Sequence, residues 1–187
     1  VPPAGWTVVD HTGSGYGWKR NTDYGKSNTT GGTGFAADAD SDAMGGGMDT
    51  SLITPSIDLT GINNPRLTFK SDFQDFAGFG QGWVKVSTDD GMTWTEVLYL
   101  TNDTPATTFT VDLSAFTDET IRIAWRFDDE DEWGWYWMID DVVVGGSSTF
   151  TAADHIIVKD TWEDVAPYKT DIDTIVLGPT PSPVDPW

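Results

Sequence analysis

Residues 121–127 read Ile-Arg-Ile-Ala-Trp-Arg-Phe, so that Ile121, Ile123, Trp125 and Phe127 fall at every second position with Arg122, Ala124 and Arg126 between them. Successive side chains of an extended chain point to opposite faces, so this stripe predicts a strand with one face on a core. A helix would scatter the same four residues around its axis. The pattern recurs. Leu67 and Phe69 alternate with Arg66, Thr68 and Lys70, Val84 and Val86 alternate within residues 83–87, and Phe109, Val111 and Leu113 form a further set. Residues 5–10 predict a first strand and residues 135–144 a last one. Residues 52–57 predict another, in which Pro55 cannot donate to a ladder and so suggests an edge or the start of a strand. The Gly/Ser/Asn-rich stretch that follows Asp10 reads mostly as loop through Gly34, with Trp18 and Tyr24 as isolated anchors.

The segment Ser87-Thr88-Asp89-Asp90-Gly91-Met92-Thr93-Trp94 is a turn flanked by β-prone residues, in which glycine can take positive φ and aspartate can cap the turn backbone. It predicts a hairpin. It also resembles the Asp-box hairpin of sialidase-like and other extracellular β proteins, a structural device that implies architecture and no chemistry.

These strands need tight connections, and the composition supplies them with 20 Gly and 10 Pro, while 10 Trp provide large core side chains. No amphipathic helix of useful length stands out, so the fold class is all-β, an antiparallel two-sheet sandwich. The run Gly145-Gly146-Ser147-Ser148 has linker composition and places a boundary there, giving a main domain over 1–146. Residues 147–187 then form a linker plus a C-terminal extension or truncated second β module. Two strands are expected in it, at 154–158 and 173–179, before a Pro-rich tail. So short a segment cannot easily form a core alone. The chain opens on Val1-Pro2-Pro3 without Met and contains no run long and apolar enough to span a membrane, so it reads as a processed, soluble piece of a longer polypeptide.

The formal charge is −20, from 30 acidic against 10 basic residues. Phosphate backbones and anionic membranes need clustered Lys and Arg, so nucleic acid and membrane insertion are set aside. An excess of carboxylates repels itself unless cations bridge it, which makes a divalent ion a natural partner. There is no cysteine, which removes disulfides and thiolate sites, and with only two histidines zinc is discounted.

Three constellations are candidates for chemistry. The first is Asp38-Ala39-Asp40-Ser41-Asp42, with Gly45-Gly46-Gly47 and Asp49 behind it. Alternate carboxylates on an extended or looped segment can converge on one hard cation, and the alternative is an acidic solvated loop. The second is Asp140-Asp141, which interrupts the apolar run Ile139 to Val144. Neighbours in a strand face opposite ways, so one carboxylate faces inward or against the adjoining strand and needs a partner, either a cation or backbone hydrogen bonds. The third places Trp133, Trp135 and Trp137 at period two beside Asp128-Asp129-Glu130-Asp131-Glu132. Exposed, such a row stacks on sugar rings; buried, it is core. Trp83 is a further candidate for stacking. Paired carboxylates suit glycoside hydrolysis in principle, but so acidic a chain always offers some such pair. His11 and His155 lie near no Gly-x-Ser-x-Gly elbow and no His-Glu-x-x-His, so both read as surface histidines and no catalytic residue is named.

Several segments taken in order carry a resemblance. Gly5-Trp6-Thr7-Val8-Val9-Asp10, Thr30-Gly31-Gly32-Thr33-Gly34-Phe35-Ala36-Ala37, Asp40-Ser41-Asp42, Met48-Asp49-Thr50-Ser51-Leu52-Ile53-Thr54-Pro55 and Trp137-Met138-Ile139-Asp140-Asp141-Val142 together resemble the MAM-like jelly-roll modules of secreted bacterial proteases and surface proteins. The likeness covers residues 1 to about 146. It implies a jelly-roll sandwich with an accessory role, a parent of the subtilisin-like or immune-inhibitor metalloprotease kind, and a secreted, extracellular or cell-surface location. The Ile-Asp-Asp-Val ending is similar to that of jelly-roll carbohydrate-binding modules, where this aspartate often ligates a structural calcium. By that likeness a calcium role falls on Asp40, Asp42 and Asp140, with Asp38 and Asp49 as further candidates. MAM domains of animal proteins carry disulfides, and this chain has none, so their adhesive function is not transferred. Residues 169–179 resemble the opening of a further β module in large subtilisin-like proteases. The expectation is a non-catalytic, calcium-stabilised accessory module whose partners are the parent catalytic domain and a glycan or protein substrate. The alternative is a carbohydrate-binding module stacking sugars on Trp83, Trp133 or Trp135, and a glycosidase ranks last.

Overall fold

The computed structural model describes residues 2–146, so the strands expected at 154–158 and 173–179 lie outside the described residues. The described residues form eleven strands: β1 (Thr7–Asp10), β2 (Lys19–Arg20), β3 (Ala37–Asp40), β4 (Asp49–Ile53), β5 (Ile57–Asp58), β6 (Pro65–Gln74), β7 (Gln81–Ser87), β8 (Thr95–Leu100), β9 (Thr104–Asp112), β10 (Thr120–Asp128) and β11 (Tyr136–Gly146). One helical turn, α1 (Ser41–Met44), follows β3. The strands make two antiparallel sheets. The first runs β1-β4-β10-β7-β8 with β5 also on β10, and the second runs β2-β3-β11-β6-β9. The fold is thus an antiparallel two-sheet β-sandwich of jelly-roll type.

The alternating stripes are the inner faces. Ile121, Ile123, Trp125 and Phe127 of the first sheet meet Leu67, Phe69, Phe73, Trp137 and Ile139 of the second, all buried in one cluster. Trp125 stacks on Trp6 at 5.8 Å and takes the edge of Phe69 at 5.6 Å, while Trp137 sits against Phe73 and Trp18. Burying indoles of this size dominates the core energetics, at roughly 2–3 kcal/mol for each large side chain. The Trp137 indole N–H donates to Ser71 Oγ at 2.8 Å.

One expectation is corrected and two are sharpened. The strand placed at 52–57 begins earlier, as β4, and lies between β1 and β10 rather than at an edge; the chain leaves the ladder at Thr54-Pro55-Ser56, where proline has no N–H to give. The stretch before Gly34 is mostly loop but contributes β2 and a one-turn 3₁₀ helix, Asn21–Tyr24. Asp38 and Asp40 are on a strand, not a solvated loop: Ala37 and Ala39 face the core, which sends both carboxylates to the outer face of the second sheet.

The hairpin at Ser87–Trp94 forms as expected and joins β7 to β8. Asp89 accepts from Thr93 N at 2.8 Å, Thr93 Oγ1 at 2.5 Å and Ser87 Oγ at 2.7 Å, and Gly91 N donates to Ser87 Oγ at 2.8 Å. These bonds hold the Asp89 carboxyl down at a pKa of about 2.

The strand register sets which loops share an end. Asp128 pairs with Asp49 and Gln81, and Tyr136 pairs with Asp40 and Gln74. Segments 41–48, 75–80 and 129–135 therefore meet at one end of the sandwich. Segments 88–94 and 113–119 lie at the other.

Candidate functional site

Two regions hold the residues singled out above. The first is the outer face of the second sheet, roofed by the loop between β2 and β3. Beneath that roof Asp38, Asp40 and Asp140 are essentially inaccessible, and Asp72 nearly so. Asp40 caps α1 by accepting from Ala43 N at 3.0 Å, and its other oxygen pairs with Lys26 Nζ at 2.7 Å. The same ammonium lies 3.8 Å from the centre of the Tyr136 ring. Tyr136 in turn donates its hydroxyl to Asp72 Oδ2 at 3.0 Å; burial raises the pKa of that phenol to about 12, with Asp72 and Asp38 adding to the effect.

Asp38 has no such arrangement. Neither of its oxygens has a hydrogen-bond partner among the described residues. Burial pushes its carboxyl well above the usual carboxylate range, Asp40 adds to the rise, and the charge of Lys26 opposes it. Two buried carboxylates thus share one ammonium, and burial favours the neutral form of the second.

Asp140 and Asp141 resolve their conflict through a β-bulge. The β11–β6 register shifts between Asp140 and Val143, and Asp141 takes a left-handed φ of 49°. The extra residue rephases the strand, so that Trp137 and Ile139 before it and Val142 and Val144 after it all face the core. Neither carboxylate enters the core. Asp141 pairs with Lys70 at 2.8 Å, whereas Asp140 accepts from Asn28 Nδ2 at 2.8 Å and from Asp141 N at 2.8 Å. Gly32 packs so closely over Asp140 that a Cβ there would overlap the carboxylate. Burial, first, raises the Asp140 pKa against the bond from Asn28.

Asp40 is opposite Tyr136, four residues along β11 from Asp140, which separates the two backbones by about 13 Å. Asp42 is exposed on α1, and Asp49 is bound to Arg126 by two bonds of 2.7 Å. Among the described residues no three His, Cys, Asp or Glu side chains are placed to share one metal ion. Asp40, Asp42 and Asp140 therefore do not fit a single calcium. Asp140 offers a buried carboxylate, and Asn28 Oδ1, which accepts from Thr30 N at 3.0 Å and Thr30 Oγ1 at 2.7 Å, reaches a cation there only if the amide turns over and gives up those two bonds.

The second region is aromatic. Of the indoles expected at period two, Trp137 is core, while Trp133 is 57% and Trp135 42% exposed. Trp133 is fixed nonetheless: its Nε1 donates to Gly45 O at 2.6 Å, and its ring lies on Gly46, whose φ of +90° and lack of Cβ permit the approach. Trp135 stacks on Phe76, itself 46% exposed, with centroids 5.9 Å apart and planes at 23°. Trp83 lies elsewhere, on the outer face of the first sheet, half-buried. Tyr99 stacks on it at 5.3 Å, and Lys85 and Arg126 stand over its ring at 5.0 and 5.3 Å. Its π faces are thus engaged within the molecule.

Lys26, Asn28 and Phe76 were not singled out from the sequence. Ala37-Asp38-Ala39-Asp40 did carry a usable signal, since alternating small apolar and acidic residues form a strand pattern.

No protein-family model matches the chain, and no curated protein matches it. Solved structures do. The K1 cleaved adhesin domain of Lys-gingipain from Porphyromonas gingivalis W83 is 26% identical, with 78% of this chain and 93% of that chain covered and a TM-score of 0.58. The K3 cleaved adhesin domain of the same protein is 21% identical over 78% and 93%, with a TM-score of 0.55. The K2 domain is 21% identical over 75% and 90%, with a TM-score of 0.51. The described sandwich is accordingly similar in fold, nearly end to end, to three cleaved adhesin domains.

Proposed function

We propose that this chain is a non-catalytic accessory module of a secreted hydrolase, of the protease kind, and that it engages its ligand through the exposed Phe76–Trp133–Trp135 end. The likeness to the K1 domain carries the reading, because 93% of that domain is covered at 26% identity, and K1 is by name a cleaved adhesin domain of a gingipain. Its partners are then the parent catalytic domain and a surface or substrate outside the cell, in keeping with the MAM-like resemblance. The aromatic end supports a binding role, since a contiguous patch of large apolar rings in solvent marks an interaction site. Calcium belongs to the same proposal as a stabiliser held by Asp140 and Asn28.

The test is direct. The purified chain is expected to hydrolyse neither casein nor activated glycosides, and to bind immobilised protein or glycan targets in a way that Trp133→Ala weakens. Hydrolysis that survives purification and vanishes on substitution of one Asp or Glu would replace this reading with an enzymatic one. A carbohydrate-binding role has one observation in its favour, the exposure of Trp133 and Trp135.

A further inference from the structure

We propose that the Phe76–Trp133–Trp135 end docks a cationic peptide segment, one that presents lysine or arginine side chains. The inference rests on the binding-module reading and names the chemistry of its ligand.

Charge is the first argument. Segments 41–48, 75–80 and 129–135, which build this end, contain Asp42, Asp75, Asp129, Glu130, Asp131 and Glu132 and no Lys or Arg. Three of the six are occupied. Asp129 accepts from Ser41 Oγ and Met48 N, Asp75 from the amides of Gly78 and Gly80, and Glu130 from Gln81. Asp42, Asp131 and Glu132 are exposed, and their carboxylates make no hydrogen bond among the described residues.

Four other rings of the molecule carry a basic side chain. Lys19 lies over Tyr24, Arg20 over Phe35, Lys26 over Tyr136, and Lys85 and Arg126 over Trp83. A chain with so few basic residues has spent half of them over rings. Among the described residues, Trp133, Trp135 and Phe76 have no cation over them, although an indole face beside carboxylates attracts one best. The rings are also immobilised in advance, Trp133 by its bond to Gly45 O and Trp135 by Phe76, so docking loses little side-chain entropy. A cationic side chain stacked on an indole, with its charge against Asp131, Glu132 or Asp42, meets both features. An anionic glycan would be repelled.

Binding of a fluorescein-labelled peptide of alternating Arg and Gly to the full chain, at about 150 mM salt where the screening length is about 8 Å, tests this. A chain of charge −20 will attract such a peptide anywhere, so the variants must separate site from charge. Trp133→Ala and Trp135→Ala keep the net charge and are expected each to weaken binding roughly tenfold or more, with circular dichroism unchanged. Asp131→Asn with Glu132→Gln is expected to weaken it well beyond Asp118→Asn with Glu119→Gln, which removes equal charge at the far end of β10, roughly 26 Å away. Equal binding by wild type and the Trp variants, or equal loss in the two neutralised pairs, overturns the proposal. Should a neutral oligosaccharide quench Trp133 while the peptide leaves it untouched, the cationic ligand is wrong and the binding-module reading stands. If neither probe, nor any immobilised target, responds to Trp133→Ala, that reading fails as well.

Discussion

Lys26 places its ammonium 2.7 Å from Asp40, while Asp38, two residues earlier on the same strand and on the same face, has no hydrogen-bond partner among the described residues. One cation for two buried carboxylates makes the pair unequal. Asp40 pairs with Lys26 and caps α1; Asp38 is a buried acid whose pKa burial raises.

Asp38→Asn should therefore stabilise the domain at neutral pH. The folded state holds the Asp38 proton to higher pH than the unfolded chain, whose value is near 3.8. Stability from the neutral carboxyl is full below that value and is lost as pH rises through the raised folded value. Asparagine keeps the shape without the charge, so a gain of about 1–2 kcal/mol at pH 7, or roughly 3–6 °C in Tm, is expected. The variant's melting curve should also flatten against pH above 4. A variant less stable at pH 7, with an unchanged pH profile, would show that Asp38 is charged and partnered.

Lys26→Met keeps much of the aliphatic stem and removes the charge, leaving Asp40 buried without its counterion. The Lys26 side chain is 27% accessible, which tempers the loss, and about 2–3 kcal/mol of destabilisation is expected. Asp40→Asn in the same chain should recover part of it. A double-mutant cycle by urea denaturation measures the coupling, and a coupling near zero would make the ion pair incidental.

The sandwich was legible because its core strands alternate strictly, and Ile121 to Phe127 needed nothing but the period of an extended chain. The outer layer was not. Asp38 and Asp40 alternate with alanines just as strand residues should, yet their burial depends on a roof contributed by Lys26 and Asn28, which local pattern does not connect to them. Nor does spacing along the sequence reveal that Asp40 and Asp140 sit four residues apart on one ladder, too far to share an ion. The bulge at Asp141 is equally hidden, since it shows only as a change of phase between Ile139 and Val142. Exposure of Trp133 and burial of Trp137 follow from one further fact: the first lies in a loop beyond the end of β10 and the second within β11.

Asp89 is held by the hairpin and offers a spectroscopic check. Its carboxyl should titrate with a midpoint of about 2 by carbon-detected NMR. Its folded pKa is lowered, so its contribution to stability is full above the usual 3.8 and disappears as pH falls toward 2. Thr93→Val removes the hydroxyl donor, keeps the backbone donor, and should move the midpoint upward toward 3.8. A midpoint that stays in place on this substitution would assign the depression to something other than the hairpin bonds.

Calcium is the remaining question, and the geometry makes it answerable site by site. If the ion binds only the folded state, a concentration a hundred times the dissociation constant should add about 2.7 kcal/mol, lost again in excess EGTA. With Asp140 and Asn28 as the ligands, Asp140→Asn and Asn28→Ala abolish the calcium-dependent rise in Tm, whereas Asp42→Asn, on the exposed turn of α1, leaves it intact. Gly32→Ala should act like the ligand variants, because its methyl group would take the space of the Asp140 carboxylate. An equal response from Asp42→Asn would return the site to the acidic segment at α1. A melting curve indifferent to both calcium and EGTA would leave Asp140 to its bonds with Asn28 and the bulge, and Lys26 as the cation that ties the roof to the sheet.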